Sequence, residues 1–174
     1  MSIYKILSAL LDYPNQELVE HLPEIRAEID GSQNIEKEEK EALYKFLDHL
    51  TSMPLTEQQA DYVKTFDMTP EHSLHLTHHL FGDDNDRNRG PALIDLAGLY
   101  QDYGIEVATN ELPDFLPLIL EFTSLLEEKE ATMFLSDAHK VLALLADNLT
   151  KAGSPYAALL SIVKSRATLT RLAA

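Results

Sequence analysis

Apolar side chains recur every three or four positions along most of the chain, the spacing of one face of an α-helix. The first such segment runs over residues 3–11 and stops at Tyr13-Pro14, because a residue that precedes proline disfavours helical backbone angles. A second segment reaches Gly31 and contains Pro23, which has no amide hydrogen for the helix ladder. We therefore expect two short helices or one kinked helix in that second segment.

The same spacing predicts further helices, and local sequence marks several of their ends. A capping box, Thr56-x-x-Gln59, predicts a helix start near Glu57. Asn88 followed by Pro91 predicts another start, and Gly104 predicts where that helix stops. The other periodic segments are residues 36–50, 115–126, 134–153 and the stretch after Ser154-Pro155.

Alternation of apolar and polar residues, the pattern of a β-strand, is almost missing. Ser73–Thr77 is the only period-two stretch, and residues 105–109 are too isolated to build a sheet. We therefore predict an all-α fold, a single-domain bundle of about seven to nine helices over residues 1–168. Residues 169–174 are expected to form a frayed tail.

The composition is that of a soluble globular protein. Of the 174 residues 45% are hydrophobic and 25% charged, and no window approaches the roughly 20 apolar residues of a membrane span. Lys5 interrupts the first apolar run and no small-residue cleavage site follows, so we expect no secretory signal peptide. The chain has no cysteine, which excludes disulfides and thiolate chemistry and fits a reducing compartment. We predict a cytoplasmic protein without direct membrane insertion.

The charge is strongly acidic. Fourteen Lys and Arg residues against 29 Asp and Glu give a formal net charge of −15, which repels nucleic acid and anionic lipid. A basic partner would be attracted. The same acidity could instead serve solubility alone.

Four of the seven histidines, His72, His75, His78 and His79, fall within eight residues. His75 and His79 have the spacing at which two side chains on a helix can share a metal ion. However, the glutamate of an H-E-x-x-H motif is missing between them and no third ligand is evident. We therefore predict no metal site.

Common calcium-binding and catalytic signatures are also missing. Asp84, Asp86 and Asn88 alternate as in an EF-hand loop, but Arg89 stands where the glycine belongs and Asp95 takes the place of the last glutamate. The sequence contains no phosphate-binding or dinucleotide-binding glycine pattern and no G-x-S-x-G turn. Nothing in the sequence supports an enzyme, and we predict a non-catalytic protein without a cofactor of its own.

Arg87 and Arg89 are the only Lys or Arg residues between Lys64 and Lys129. Two guanidinium groups before a helix start could bind phosphate or carboxylate. They could instead order their own loop by pairing with acidic neighbours such as Asp83 and Asp86.

Residues 110–117 place two carboxylates and two prolines in a short loop before an apolar helix. The loop could be a rigid hinge with an acidic rim formed by Glu111 and Asp114. It could also be an ordinary helix start, with Asp114 as the cap and Glu111 at the positive end of the helix dipole.

Several short motifs, in this order and spacing, resemble the TorD/DmsD/NarJ family of redox enzyme maturation chaperones, and within it the nitrate reductase molybdenum cofactor assembly chaperones. The resemblance covers nearly the whole chain, with one departure at Phe115, where many relatives have histidine. The motifs are Tyr62-Val63-x-x-Phe66-Asp67, Ser73-Leu74-x-Leu76, His78-x-Leu80-x-Gly82-Asp83, Arg89-Gly90 and Glu111-Leu112-Pro113-Asp114.

The resemblance implies a chaperone that binds the N-terminal, leader-like region of the apo catalytic (alpha) subunit of respiratory nitrate reductase. It further implies support for molybdenum cofactor insertion, prevention of premature membrane docking, and molybdenum cofactor delivery proteins as candidate partners. A generic helical peptide-binding adaptor and a metal-dependent enzyme built on the histidine cluster are the alternatives.

An amphipathic leader helix could lie in a groove between helices, with acidic rims facing its basic residues. For Tyr62 and Phe66 the alternative is core packing, since aromatic residues four apart on a helix often bury together. The resemblance and the loop chemistry together give these expected peptide-binding residues: Tyr62, Phe66, Asp67, His78, Glu111, Pro113, Asp114 and Phe115.

Overall fold

A computed structural model describes residues 1–81, 87–107 and 110–173 of the chain. Within these ranges the chain forms α-helices and short helical turns but no strand, so the predicted all-α class is confirmed. The α-helices are α1 Ile3–Leu11, α2 Gln16–Gly31, α3 Lys37–Thr51, α4 Leu55–Tyr62, α5 Leu76–Phe81, α6 Arg89–Asp102, α7 Leu116–Thr123, α8 Glu128–Ser136, α9 His139–Lys151 and α10 Ala157–Arg166.

The described ranges hold ten α-helices where seven to nine were expected. The difference has two sources: the periodic segment over residues 134–153 is not one helix, and α5 lies in a stretch for which no helix was predicted. The backbone leaves regular helical angles at Ala138, which separates α8 from α9. Apolar periodicity continues across this break, so the pattern alone does not reveal it.

Prolines mark two helix boundaries as predicted, but Pro23 does not divide its helix. α1 ends at Leu11, just before Tyr13-Pro14, and α2 begins after Asn15, whose side chain accepts the amide hydrogen of Leu18. α2 then continues through Pro23 without interruption.

The predicted capping box at Thr56 and Gln59 is wrong. α4 begins two residues before Glu57, at Leu55, and no side chain caps it. The Gln59 side chain instead donates across 2.9 Å to the carbonyl oxygen of Pro14, which fastens α4 to the loop after α1. A capping box does form at the start of α3, between Glu36 and Glu39.

The buried apolar residues form one continuous core. Within it α1 packs against α7, α9 against α10, and α10 against α3. The chain therefore brings its two halves together, with the loops after α1 and before α7 on neighbouring parts of the surface. No helix in the described ranges is long and apolar enough to cross a membrane.

A buried ion network, which the sequence did not indicate, ties four helices together. Arg166 is 1% exposed and makes two hydrogen bonds to Glu39, at 2.9 and 2.7 Å. It also donates to Glu128 and to the carbonyl oxygen of Asn34, while its guanidinium lies over the Tyr4 ring. The guanidinium, with four hydrogen bonds and one ring contact, joins α10 to α1, α3 and α8.

The last described turn of the chain comes soon after Arg166 in sequence. Leu169–Ala173 forms a 3-10 turn, and Arg171 donates to Glu36 across 2.7 Å. Fraying of residues 169–174 in solution stays a prediction.

Candidate functional site

Five of the eight expected peptide-binding residues lie around one cleft. We name this opening of about 300 Å³ the aromatic cleft, and its lining comes from α4, the following turn, the loop before α5, α5 itself, and the residue before α7. Its lining residues are Tyr62, Phe66, Asp67, Pro70, Ser73, Leu74, His75, His78 and Phe115.

Tyr62 and Phe66 form the floor of the aromatic cleft and belong to the core at the same time. Their side chains are 4% and 5% exposed, their rings lie 4.8 Å apart, and both contact the ring of Tyr156. The Tyr62 hydroxyl donates across 2.9 Å to the carbonyl oxygen of Leu11 at the end of α1. Burial raises the pKa of Tyr62, so this hydroxyl keeps its proton. These two residues therefore pack in the core and also line the cleft.

A π-helical turn, Val63–Asp67, places these side chains. π-turns are rare and occur frequently at functional sites. This one buries Phe66 and leaves Asp67 exposed at the cleft edge. The Thr65 carbonyl oxygen in this turn lies 2.9 Å from Nδ1 of the buried His72, a contact that stabilises the turn.

Phe115 and His75 form the wall opposite the floor. Their rings stack with centroids 5.1 Å apart, and their backbones pair through an isolated antiparallel bridge. Nε2 of His75 lies 3.1 Å from a carboxylate oxygen of Glu111, so the ring is held from both sides. His75 was not among the expected site residues, although it is the centre of the period-two stretch Ser73–Thr77.

Asp114 is fully buried, so its predicted place in an acidic rim is wrong. Its Oδ2 accepts the backbone amide of Thr77 at 2.9 Å and the Thr77 hydroxyl at 2.5 Å. Asp114 therefore caps α5, a helix distant in sequence, rather than α7, the helix that follows it. The neighbouring Pro113 is half-buried and its carbonyl oxygen accepts the Tyr100 hydroxyl at 2.7 Å.

The two arginines lie in different environments. Nε of Arg89 donates to the Thr77 hydroxyl oxygen across 2.9 Å, which extends the Asp114–Thr77 contact to the start of α6 and favours the loop-ordering interpretation. Arg87 is exposed. Their predicted partners Asp83 and Asp86 lie outside the described residues.

A second opening, which we name the acidic pocket, adjoins the aromatic cleft at Phe115. It has a volume of about 340 Å³ and lies between α1, α7 and the loop before α7. The lining combines four carboxylates with apolar and polar side chains: Ser8, Asp12, Glu106, Asn110, Glu111, Phe115, Pro117, Leu118 and Glu121.

Burial raises the pKa of Asp12, the hydrogen bond from the Tyr13 amide opposes this, and the negative charge of Glu111 raises it further. These two carboxylates therefore repel each other across the pocket. The sequence did not indicate Asp12, Glu106 or Glu121 as site residues, because residues this far apart in the chain meet only in the folded bundle.

Three of the clustered histidines contact separate partners, while the ring of His78 packs against that of His79. His72 contacts Thr65 and His75 contacts Glu111, while Nε2 of His79 lies 2.7 Å from the carbonyl oxygen of Ser73. Burial lowers the pKa of His79. Across the part of the chain that the structure describes, no three His, Cys, Asp or Glu residues are arranged to hold a metal ion.

Residues 32–161 match the family model described as "Nitrate reductase delta subunit". The chain is 39% identical over 158 residues to the nitrate reductase molybdenum cofactor assembly chaperone NarJ of Escherichia coli strain K12, covering 91% of this chain and 66% of that protein. It is 32% identical over 160 residues to the probable chaperone of the same name from Bacillus subtilis strain 168, covering 92% and 85%. The chain thus spans just under two thirds of the Escherichia coli protein.

Proposed function

The chain belongs to the nitrate reductase delta subunit family, and from this membership we propose that it is an assembly chaperone for a nitrate reductase rather than an enzyme. The proposal extends to this chain what the names of its relatives say of them, that they are nitrate reductase molybdenum cofactor assembly chaperones.

The partner that we propose is the apo catalytic subunit, held through its N-terminal, leader-like region. The aromatic cleft is the observation that carries this proposal. Its floor is formed by the buried rings of Tyr62 and Phe66, its wall by the partly exposed ring of Phe115, and its edge carries the exposed Asp67. An amphipathic segment can place apolar side chains on such rings while acidic groups attract its basic residues.

Within this account the expected residues have different tasks. Tyr62, Phe66, Asp67, His78 and Phe115 contact the segment directly, because all of them line the aromatic cleft. Glu111 contributes negative charge at the acidic pocket. Pro113 and Asp114 act indirectly, by fixing the loop that carries Phe115.

Holding the N-terminal region of the apo subunit would delay its docking onto the membrane-anchor subunit and leave time for molybdenum cofactor insertion. No bond need be formed or broken by the chaperone. Its formal charge of −15 disfavours nucleic acid and favours a basic leader. We place this action in the cytoplasm, with molybdenum cofactor delivery proteins as further partners.

Calorimetric titration with a synthetic peptide that copies the N-terminus of the organism's nitrate reductase catalytic subunit tests the proposal. A scrambled peptide of the same composition is the control, because it keeps charge and hydrophobicity. We expect the native peptide to bind with micromolar or tighter affinity and the scrambled one at least about tenfold more weakly. Equal binding of both peptides would contradict sequence-specific recognition and indicate a generic adaptor.

A further inference from the structure

We propose that the aromatic cleft and the acidic pocket form one groove, which recognises an apolar side chain and a Lys or Arg side chain on the same face of the bound segment. This inference rests on the proposed function and specifies its ligand. It requires the leader to carry a defined pair of side chains rather than only general basic and apolar character.

Phe115 makes the two openings continuous. Its ring contributes to the lining of both, so a segment that packs on one face of Phe115 lies directly beside the other opening. The stack on His75 and the His75–Glu111 contact hold this dividing ring in place. A peptide that crosses Phe115 therefore meets an aromatic surface on one side and carboxylates on the other.

The acidic pocket has the chemistry that a long basic side chain requires. Pro117 and Leu118 provide an apolar surface for the methylene groups, while Asp12, Glu106 and Glu121 provide carboxylates for the charged end. Lys and Arg side chains bury their stems on apolar surface and keep their charge at a polar site. An apolar side chain would leave these carboxylates without a partner.

The negative charge in the acidic pocket is poorly compensated by the protein itself. The described lining includes no Lys or Arg. Among the ion pairs of the described residues, only the contact between His75 and Glu111 involves a carboxylate of this lining. Partial burial raises the pKa of Asp12, the hydrogen bond from the Tyr13 amide opposes this, and the negative charge of Glu111 adds a smaller rise. A basic side chain from the partner would relieve this repulsion.

A double-mutant cycle between the full chain and the leader peptide tests the inference. In the protein, Asp12→Asn combined with Glu121→Gln removes two pocket charges at nearly constant shape. In the peptide, each Lys or Arg is replaced in turn by methionine, which keeps most of the apolar stem. Glu38→Gln with Glu41→Gln is the matched control, since it removes two exposed charges that line neither opening.

We expect one peptide position at which methionine weakens binding to the unaltered chain by about tenfold, but by less than about twofold to the pocket variant. The control variant should keep the full tenfold sensitivity. If every basic position loses affinity equally with all three proteins, only long-range attraction acts and the inference is wrong. Failure of the native peptide to bind the unaltered chain would instead remove the proposed function itself.

Discussion

The carboxylate of Asp114 is fully buried and accepts the backbone amide hydrogen of Thr77, 37 positions away in the chain, across 2.9 Å. This contact joins the loop that carries Phe115 to the start of α5, while Thr77 in turn accepts a hydrogen bond from Arg89. The wall of the aromatic cleft and the start of α6 therefore depend on one buried side chain.

Asp114→Ala should destabilise the protein by about 2–3 kcal/mol, because it leaves a buried amide and a buried hydroxyl without their acceptor. Asp114→Asn keeps an oxygen at this position and should cost about half as much. Urea unfolding followed by circular dichroism measures both. Glu111→Gln, in the same loop but exposed, should change stability by less than about 0.5 kcal/mol. A loss as large as that of Asp114→Ala would contradict the assignment of the cap.

Tyr62→Phe should cost about 1 kcal/mol of stability, since it removes the hydrogen bond to Leu11, and should leave peptide affinity almost unchanged. The aromatic face in the cleft stays in place. Phe66→Leu should weaken peptide binding, because the flat ring is lost while most of the buried volume is kept. Alanine at either position would open the core, so these conservative variants separate folding from binding. Calorimetry on folded variants provides the comparison, and reduced affinity of Tyr62→Phe would show that its hydroxyl contacts the ligand.

Arg166→Met should destabilise the protein by about 3–5 kcal/mol, because the buried Glu39 loses both hydrogen bonds from Arg166 and keeps only the more distant Arg171, 4.0 Å away. Glu39→Met should have an effect of similar size. The loss of stability in the double variant should be smaller than the sum of the two single losses by at least about 2 kcal/mol, since neither charge then remains uncompensated. Urea unfolding of the three variants gives the coupling free energy. Additive losses would show that the two groups act independently.

Asp12→Asn should increase stability at neutral pH and weaken peptide binding. The pKa of Asp12 is raised in the folded protein, so its ionised form opposes folding at every pH above that pKa. The stability difference between the variant and the unaltered chain should shrink as the pH falls and should vanish below about pH 4, where Asp12 is protonated in both states. Chemical unfolding across this pH range tests the sign. A variant that is less stable at neutral pH would contradict the unfavourable partial burial of the Asp12 carboxylate and its repulsion by Glu111.

Much of the fold could be predicted because helix periodicity and breaking residues are local. Tyr13-Pro14 marks the end of α1, and the positive φ of Gly104 ends α6 as expected. The start of α4 could not be predicted in the same way. Gln59 forms its hydrogen bond with Pro14, which approaches only after folding, so the local capping pattern at Thr56 was misleading.

The site was predictable only where its residues share a motif. Tyr62 and Phe66 come from one motif and both line the aromatic cleft, beside Phe115, the position at which the sequence departs from the family, whereas Asp114 is buried rather than at the rim. The acidic pocket was not predicted, because Asp12 and the carboxylates it faces come from distant segments. Burial and long-range charge repulsion are properties of the bundle and have no short-range signal in the sequence.

Site-specific photo-crosslinking to the apo catalytic subunit tests the central claim most directly. A benzophenone analogue of phenylalanine in place of Phe115 reports what lies in the groove, and the same analogue in place of the exposed Met133 on α8 is the control. Mass spectrometry of the products should place the crosslink from position 115 in the N-terminal region of the subunit, with little product from position 133. Equal crosslinking from both positions, or crosslinks from position 115 only to other regions of the subunit, would contradict the account.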